Sequence, residues 1–105
     1  MIRIIRFLYE NTLTCPKLFF KNKQARVSLS KYTFDFVFKG YLEVRVTRIS
    51  YRTVTYRIPS YEVKAYGGYE ELSKEIWDSI CSCGEAISNA DIKEALSQYD
   101  IEAVY

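Results

Sequence analysis

Few residues in this chain have side chains suited to chemistry. None of the 105 residues is a histidine, so the commonest general base and the imidazole metal ligand are both missing. The three cysteines are Cys15, Cys81 and Cys83. A structural zinc site takes four ligands, and three thiols with one carboxylate would be an unusual set. Cys81 and Cys83 stand two apart near a predicted helix end and so point to different sides. They read as small buried thiols, and the sequence leaves open a bridge from Cys15 to either one. An odd cysteine count in a chain this long does not mark a secreted disulfide scaffold. No serine lies in a G-x-S-x-G elbow. The pair Glu70-Glu71 falls in the first turn of a predicted helix, where it complements the helix dipole and stays ionised. Gly67-Gly68 precedes that helix as a phosphate cradle would. However, the G-x-x-x-x-G-K-[ST] pattern is missing, and the two glutamates would repel phosphate, so the glycines read as a turn. No metal, no cofactor and no enzymatic activity are expected.

What remains is charge. Residues 1–66 hold 13 of the 15 lysines and arginines against 4 acids, a net of +9; residues 67–105 hold 2 against 9, a net of −7. Each part presents a field that attracts the opposite sign. In the acidic part, Glu71, Glu75 and Asp78 recur at helical spacing on the side away from Leu72, Ile76 and Ile80, and Glu85, Asp91 and Glu94 extend the negative field. A row of carboxylates on a small rigid domain can occupy a basic groove as a phosphate backbone does. Small phage and virus inhibitors of nucleic-acid-handling host machinery work in this way, an analogy of size and composition rather than of motif. The first expectation is therefore a non-enzymatic binding protein whose acidic helical surface engages a basic protein partner.

The runner-up is single-stranded nucleic-acid binding. Thirteen of the 17 aromatic residues precede residue 67, mixed with the cations, and bases stack on rings beside cationic grooves. Against it, Tyr32, Phe34, Phe36 and Phe38 share one face at core spacing. Arg26, Lys39, Arg45, Arg57 and Lys64 lie among Asp35, Glu43 and Glu62 on the other face, where cross-strand ion pairs form. The less compensated loop cations are Lys21, Lys23, Arg48 and Arg52. A third reading is a structural protein that self-associates, up to a homodimer, with basic sheet against acidic helices.

The elements that must position these residues follow from periodicity. Residues 31–39 alternate aromatic and polar with a period of two, as a strand does. Residues 41–48 and 52–58 repeat the pattern and read as a hairpin, since one strand of that length would be unusual. Pro59 ends the second by removing a ladder donor. Residues 17–20 and 25–30 flank Lys21-Asn22-Lys23-Gln24 as a further hairpin. Residues 61–66 alternate as a short strand, and the β-branched content of residues 1–9 favours another. After the glycines, the stripe of Leu72, Ile76, Ile80 and Cys83 predicts a helix over 69–83, with Gly84 as its C-terminal cap glycine. Ser88 or Asn89 caps a second helix over roughly 90–99, with Asp91 completing a capping-box-like pattern from Ser88, and residues 101–104 return as an edge strand.

The expected fold is one α+β domain over 1–105: an antiparallel sheet of about five or six strands with two C-terminal helices packed on one face. A basic sheet part and an acidic helical part meet at Gly67-Gly68. There is no run of about 18 apolar residues for a membrane span. Arg3 and Arg6 interrupt the apolar start, so no signal peptide is visible, and a cytoplasmic location is expected.

Overall fold

The computed structural model describes residues 16–49, 53–84 and 86–105. Four strands, β1 (Gln24–Leu29), β2 (Tyr32–Phe38), β3 (Leu42–Arg48) and β4 (Thr53–Ile58), follow one another as antiparallel hairpins. Three helices come next, α1 (Ser60–Ala65), α2 (Tyr69–Cys81) and α3 (Asn89–Leu96). The chain then returns as β5 (Ala103–Val104), which pairs antiparallel with β4 and completes a five-stranded sheet in the order β1-β2-β3-β4-β5. The fold is the expected α+β arrangement, with α2 and α3 C-terminal to the meander.

Register places the core. Val27, Phe34, Val46 and Val54 lie side by side across four strands, and Ala25, Phe36, Val44 and Tyr56 make the next row. Every second residue therefore faces the helices. Phe34, Phe36, Leu42, Val44 and Ile58 are fully buried against Leu72, Ile76 and Ile80 of α2 and Ile92 and Leu96 of α3. Of the four alternating aromatics of β2, Tyr32, Phe34 and Phe36 are buried and Phe38 is half-buried. Aromatic contacts seat α2: Phe34 meets Trp77 edge-on at 5.3 Å, and Phe38 stacks on Tyr69 at 4.7 Å. The Trp77 indole donates to the Pro16 carbonyl at 2.8 Å, so the buried ring leaves no polar group unmet.

Two turns show why the strands meet where they do. At 21–24, Asn22 and Lys23 both have positive φ, 54° and 63°, the geometry of a turn whose twist suits a hairpin. Lys21 and Gln24 exchange backbone hydrogen bonds across it at 2.9 and 3.1 Å. Between β2 and β3 the register closes at Phe38 and Leu42, and Gly40 takes φ +82° in the three-residue loop.

Three expectations are corrected. Residues 61–66 are not a strand but most of α1. The alternation of Tyr61, Val63 and Ala65 is overridden by the flanking residues. The Pro59 carbonyl accepts from Glu62 and Val63 to start the helix, and Gly67 at φ +94° ends it. The Gly68 amide donates to Val63 and the Gly67 amide to Lys64, at 3.0 and 3.1 Å, which is a Schellman cap. Residues 17–20 form no strand either; pairing there is limited to the single bridge between Lys21 and Gln24. The two expected C-terminal helices are present, but α2 and α3 are shorter than the 69–83 and 90–99 read from periodicity, stopping at Cys81 and Leu96, and among the described residues the short α1 precedes them. The strand expected over 1–9 lies outside the described residues.

Candidate functional site

The helical surface is built from α2 upward. Leu72, Ile76 and Ile80 are completely buried. That fixes the rotation of the helix and leaves Glu71, Glu75 and Asp78 exposed on the other side. Glu70 and Glu71 stand in the first turn, where no side chain caps the helix and carboxylates complement its amides. Glu71, Glu75 and Asp78 make no ion pair among the described residues.

The acids of α3 play different parts. Glu94 is exposed. Asp91 is half-buried, and its carboxylate accepts from the Ser88 amide and the Ser88 hydroxyl, both at 3.0 Å, while Ser88 Oγ accepts from the Asp91 amide. The capping box read from the sequence is therefore present, and the Asp91 charge is spent on it. Glu85 lies outside the described residues. Cys83 is free and exposed rather than buried, and partial desolvation, then the charges of Asp91 and Glu94, push its thiol up. Cys81 is half-buried and disulfide-bonded; Cys15 lies outside the described residues.

A second group of carboxylates is assembled by the fold and was not read from the sequence. Tyr61 donates its hydroxyl to Asp100 at 3.2 Å, and the Asp100 amide donates to the Glu62 carboxylate at 2.9 Å. The Tyr66 ring meets Tyr99 edge-on at 5.2 Å. Burial, then the charges of Glu62, Glu75 and Asp100, raise the Tyr66 hydroxyl. Two helices, α1 and α2, and the segment between α3 and β5 thus bring their acids around one tyrosine. Reading 61–66 as a strand hid this, because it put Glu62 and Lys64 on the outer sheet face instead of on α1. Tyr99, 5 % exposed, has a hydroxyl with no hydrogen-bond partner. Glu75 and Ser79 lie near it without forming a bond of proper geometry. Burial, then the Glu75 and Tyr66 charges, push it up to about 12.

The cations of the sheet are arranged differently. On the outer face, Arg26 forks onto Asp35 at 2.7 and 3.3 Å. Arg45 reaches Glu43 at 2.6 Å and Lys39 reaches it at 3.5 Å. Burial works against the charge of Glu43, but Arg45 and then Lys39 outweigh it, and the carboxyl lies below its ordinary range. Arg57 stands between the rings of Tyr41 and Tyr105, at 4.7 and 5.0 Å, a pair of cation–π contacts.

Of the loop cations, Lys21 and Lys23 lie at one end of β2 and Arg48 at the other. Lys21 and Lys23 are exposed at the turn beside Phe38. Arg48 pairs across from Tyr32 at the far end of β2, its guanidinium 5.8 Å from the Tyr32 ring. Six residue steps of strand separate the two ends, roughly 20 Å. Arg52 lies outside the described residues.

Gly67 and Gly68 close α1 and open α2. Both amides are already given to α1 carbonyls, so neither is left to hold a phosphate. Among the described residues no group of three or more His, Cys, Asp or Glu is placed to hold a metal ion, and no helix is long and apolar enough to cross a membrane. Comparison with protein-family models, with curated proteins and with solved structures finds no match to this chain.

Proposed function

We propose that this protein is a non-enzymatic binding protein whose acidic helical surface engages a basic protein partner, with an inhibitor of nucleic-acid-handling machinery as the form best suited to its size. The observation that carries the reading is the contrast in pairing. The sheet's outer-face arginines turn to Asp35, Glu43 and two tyrosine rings. Glu71, Glu75, Asp78 and Glu94 are exposed and free of ion pairs among the described residues. A partner that covers them gains Coulomb attraction without first breaking internal pairs, and the open field speeds encounter. Glu62 and Asp100 enlarge the surface beside Tyr61 and Tyr66.

The test is capture of partners from lysate of the source cells at low and raised salt, with and without nuclease. The bait is wild-type protein or the triple variant Glu71→Lys, Glu75→Lys, Asp78→Lys. The variant should keep its fold, since exposed helix substitutions fall within about 0.5 kcal/mol each. It should lose a basic, nuclease-resistant partner, mostly through slower association. A folded triple variant that captures the same partner would sink the reading. Capture that depends on nucleic acid and is lost on reversing Lys21 and Lys23 would favour the nucleic-acid alternative instead. Self-association would show as a mass above the monomer in the isolated protein.

A further inference from the structure

Beside the α2 stripe the fold gathers tyrosines and carboxylates from three places. Tyr61 and Glu62 stand on α1, Glu75 on α2, and Tyr99 and Asp100 between α3 and β5. Hydrogen bonds fix one side of the group: the Tyr61 hydroxyl donates to Asp100 at 3.2 Å, and the Asp100 amide donates to Glu62 at 2.9 Å. Tyr61 is 62 % exposed. Tyr66, half-buried at the end of α1, meets Tyr99 edge-on at 5.2 Å. Burial, then the charges of Glu62, Glu75 and Asp100, raise its hydroxyl. These three acids make no ion pair among the described residues. Lys64 and Lys74, the cations of α1 and α2, are exposed and pair with none of them. A buried polar group adjoins the acids as well. Tyr99 is 5 % exposed, and its hydroxyl, beside Glu75 and Tyr66, has no hydrogen-bond partner. Such an atom is costly to leave unmet, and an N–H brought from outside would meet it.

The group that fits here is positive, wide and rich in donors. Three carboxylates set the sign. No three acids among the described residues are placed to hold a metal ion, so the spacing suits a wider cation. A guanidinium is planar and carries five donors, and it lies on aromatic faces while forking onto carboxylates. An ammonium has three donors and holds its water more strongly. We infer that this group is the anchor site for an arginine side chain of the basic partner. Its guanidinium would lie against the Tyr61 ring and donate to the carboxylates around Tyr66 and to the Tyr99 oxygen. The inference rests on the acidic-surface reading and names the chemical group by which the partner is held.

The experiment titrates the full chain at low salt with three blocked tripeptides whose central residue is arginine, lysine or citrulline, between glycines. Citrulline keeps the shape of arginine and lacks its charge. NMR signals of the Tyr61 and Tyr66 rings and of the Asp100 amide report the place and give the affinities. The arginine peptide should move these signals together and saturate them, with a Kd of roughly millimolar order for a single side chain. The lysine peptide should bind roughly threefold more weakly and the citrulline peptide roughly tenfold more weakly. Glu62→Gln keeps an acceptor for the Asp100 amide and removes the charge; it should weaken the arginine peptide roughly threefold. Tyr99→Phe removes the unmet hydroxyl and should weaken it roughly threefold as well. Equal affinity for the arginine and citrulline peptides, indifference to either variant, signals that move elsewhere, or no saturable binding would each overturn the inference. Because the peptides are read on the isolated chain, the two readings fail separately. A peptide that does not seat here, while capture from lysate still depends on Glu71, Glu75 and Asp78, would remove the arginine site and spare the wider surface.

Discussion

On the outer face of the sheet and on the outer face of α2, charge is handled in opposite ways. Strand register sets Arg26 beside Asp35 and Asp35 beside Arg45. Directly opposed side chains are close enough to interact strongly, so unlike charges meet and like charges in this row do not. On α2 the residues that share a face are three or four apart; Lys74 is the one cation among Glu71, Glu75 and Asp78, and the three acids adjoin one another. Such neighbours repel by only a few tenths of a kcal/mol each, a cost the fold absorbs while the field survives. Formal net charge therefore overstates what the basic half presents and describes the acidic half fairly. A surface shows the charge its own neighbours leave unpaired.

Both surfaces stand on one core, so the largest effect should come from breaking that platform. Phe36 is fully buried in β2. Phe36→Ala should cost about 3–5 kcal/mol, measured as a fall in the urea midpoint with little change in slope. Because sheet and helices pack together through this residue's neighbours, both should melt in one transition. Separate transitions for the strands and the helices would mean that the two surfaces rest on separate cores.

The next test compares the two surfaces directly. Arg45→Ala removes the closest partner of Glu43 and leaves a carboxylate that is only 6 % exposed. The Arg45 side chain is itself 40 % exposed and Lys39 remains as a second partner, so the pair is partly screened and the loss should be about 1–2 kcal/mol. Glu75→Ala on the helical surface should move stability by less than about 0.5 kcal/mol. Equal losses would mean that the helical acids are also internally engaged.

The difference in how much could be read beforehand follows from the same physics. The meander was legible because alternation at 31–39 and in the strands after it is a local pattern that burial enforces. The α2 stripe and the Ser88–Asp91 cap were legible because helix faces and caps are set by residues three and four apart. Residues 61–66 were not, because six residues fit either period and the decision lay in the backbone bonds of Pro59, Gly67 and Gly68. The grouping of Glu62, Glu75 and Asp100 depends on contacts between distant segments, which no spacing reveals. Lys21, Lys23 and Arg48 looked like part of one set only because sequence hides that β2 holds Arg48 apart from the two lysines.

Acid should expose the sheet pairs specifically. The folded Glu43 carboxyl lies below its ordinary range while the unfolded one titrates near 4.3. Its stabilising contribution is thus complete above that pH and is lost as pH falls through the lower folded value. Wild-type protein should lose stability on acidification below about pH 4. Glu43→Gln should flatten that fall. Melting curves between pH 6 and 2 would show this; an unchanged slope in Glu43→Gln would remove the pairing from the account.

The smallest effect concerns the point where the acidic surface touches the core. Tyr99 is buried, but its hydroxyl has no hydrogen-bond partner and lies near Glu75. A buried donor without a partner costs desolvation that nothing returns, so deleting it at unchanged shape is close to neutral or favourable. Tyr99→Phe should therefore shift stability at neutral pH by about 0 to +1 kcal/mol, unlike an ordinary buried tyrosine. In alkali the sign is clear. The folded hydroxyl titrates at about 12, above an unfolded value near 10. The protein keeps this contribution below pH 10 and loses it as pH rises towards 12. Tyr99→Phe should lessen that alkaline loss, read as a higher melting temperature relative to wild type above pH 10. A clear destabilisation by Tyr99→Phe at neutral pH would mean that Glu75 accepts a bond from the hydroxyl. Glu75 would then be partly engaged from within, and the unpaired helical surface would shrink to Glu71, Asp78 and Glu94.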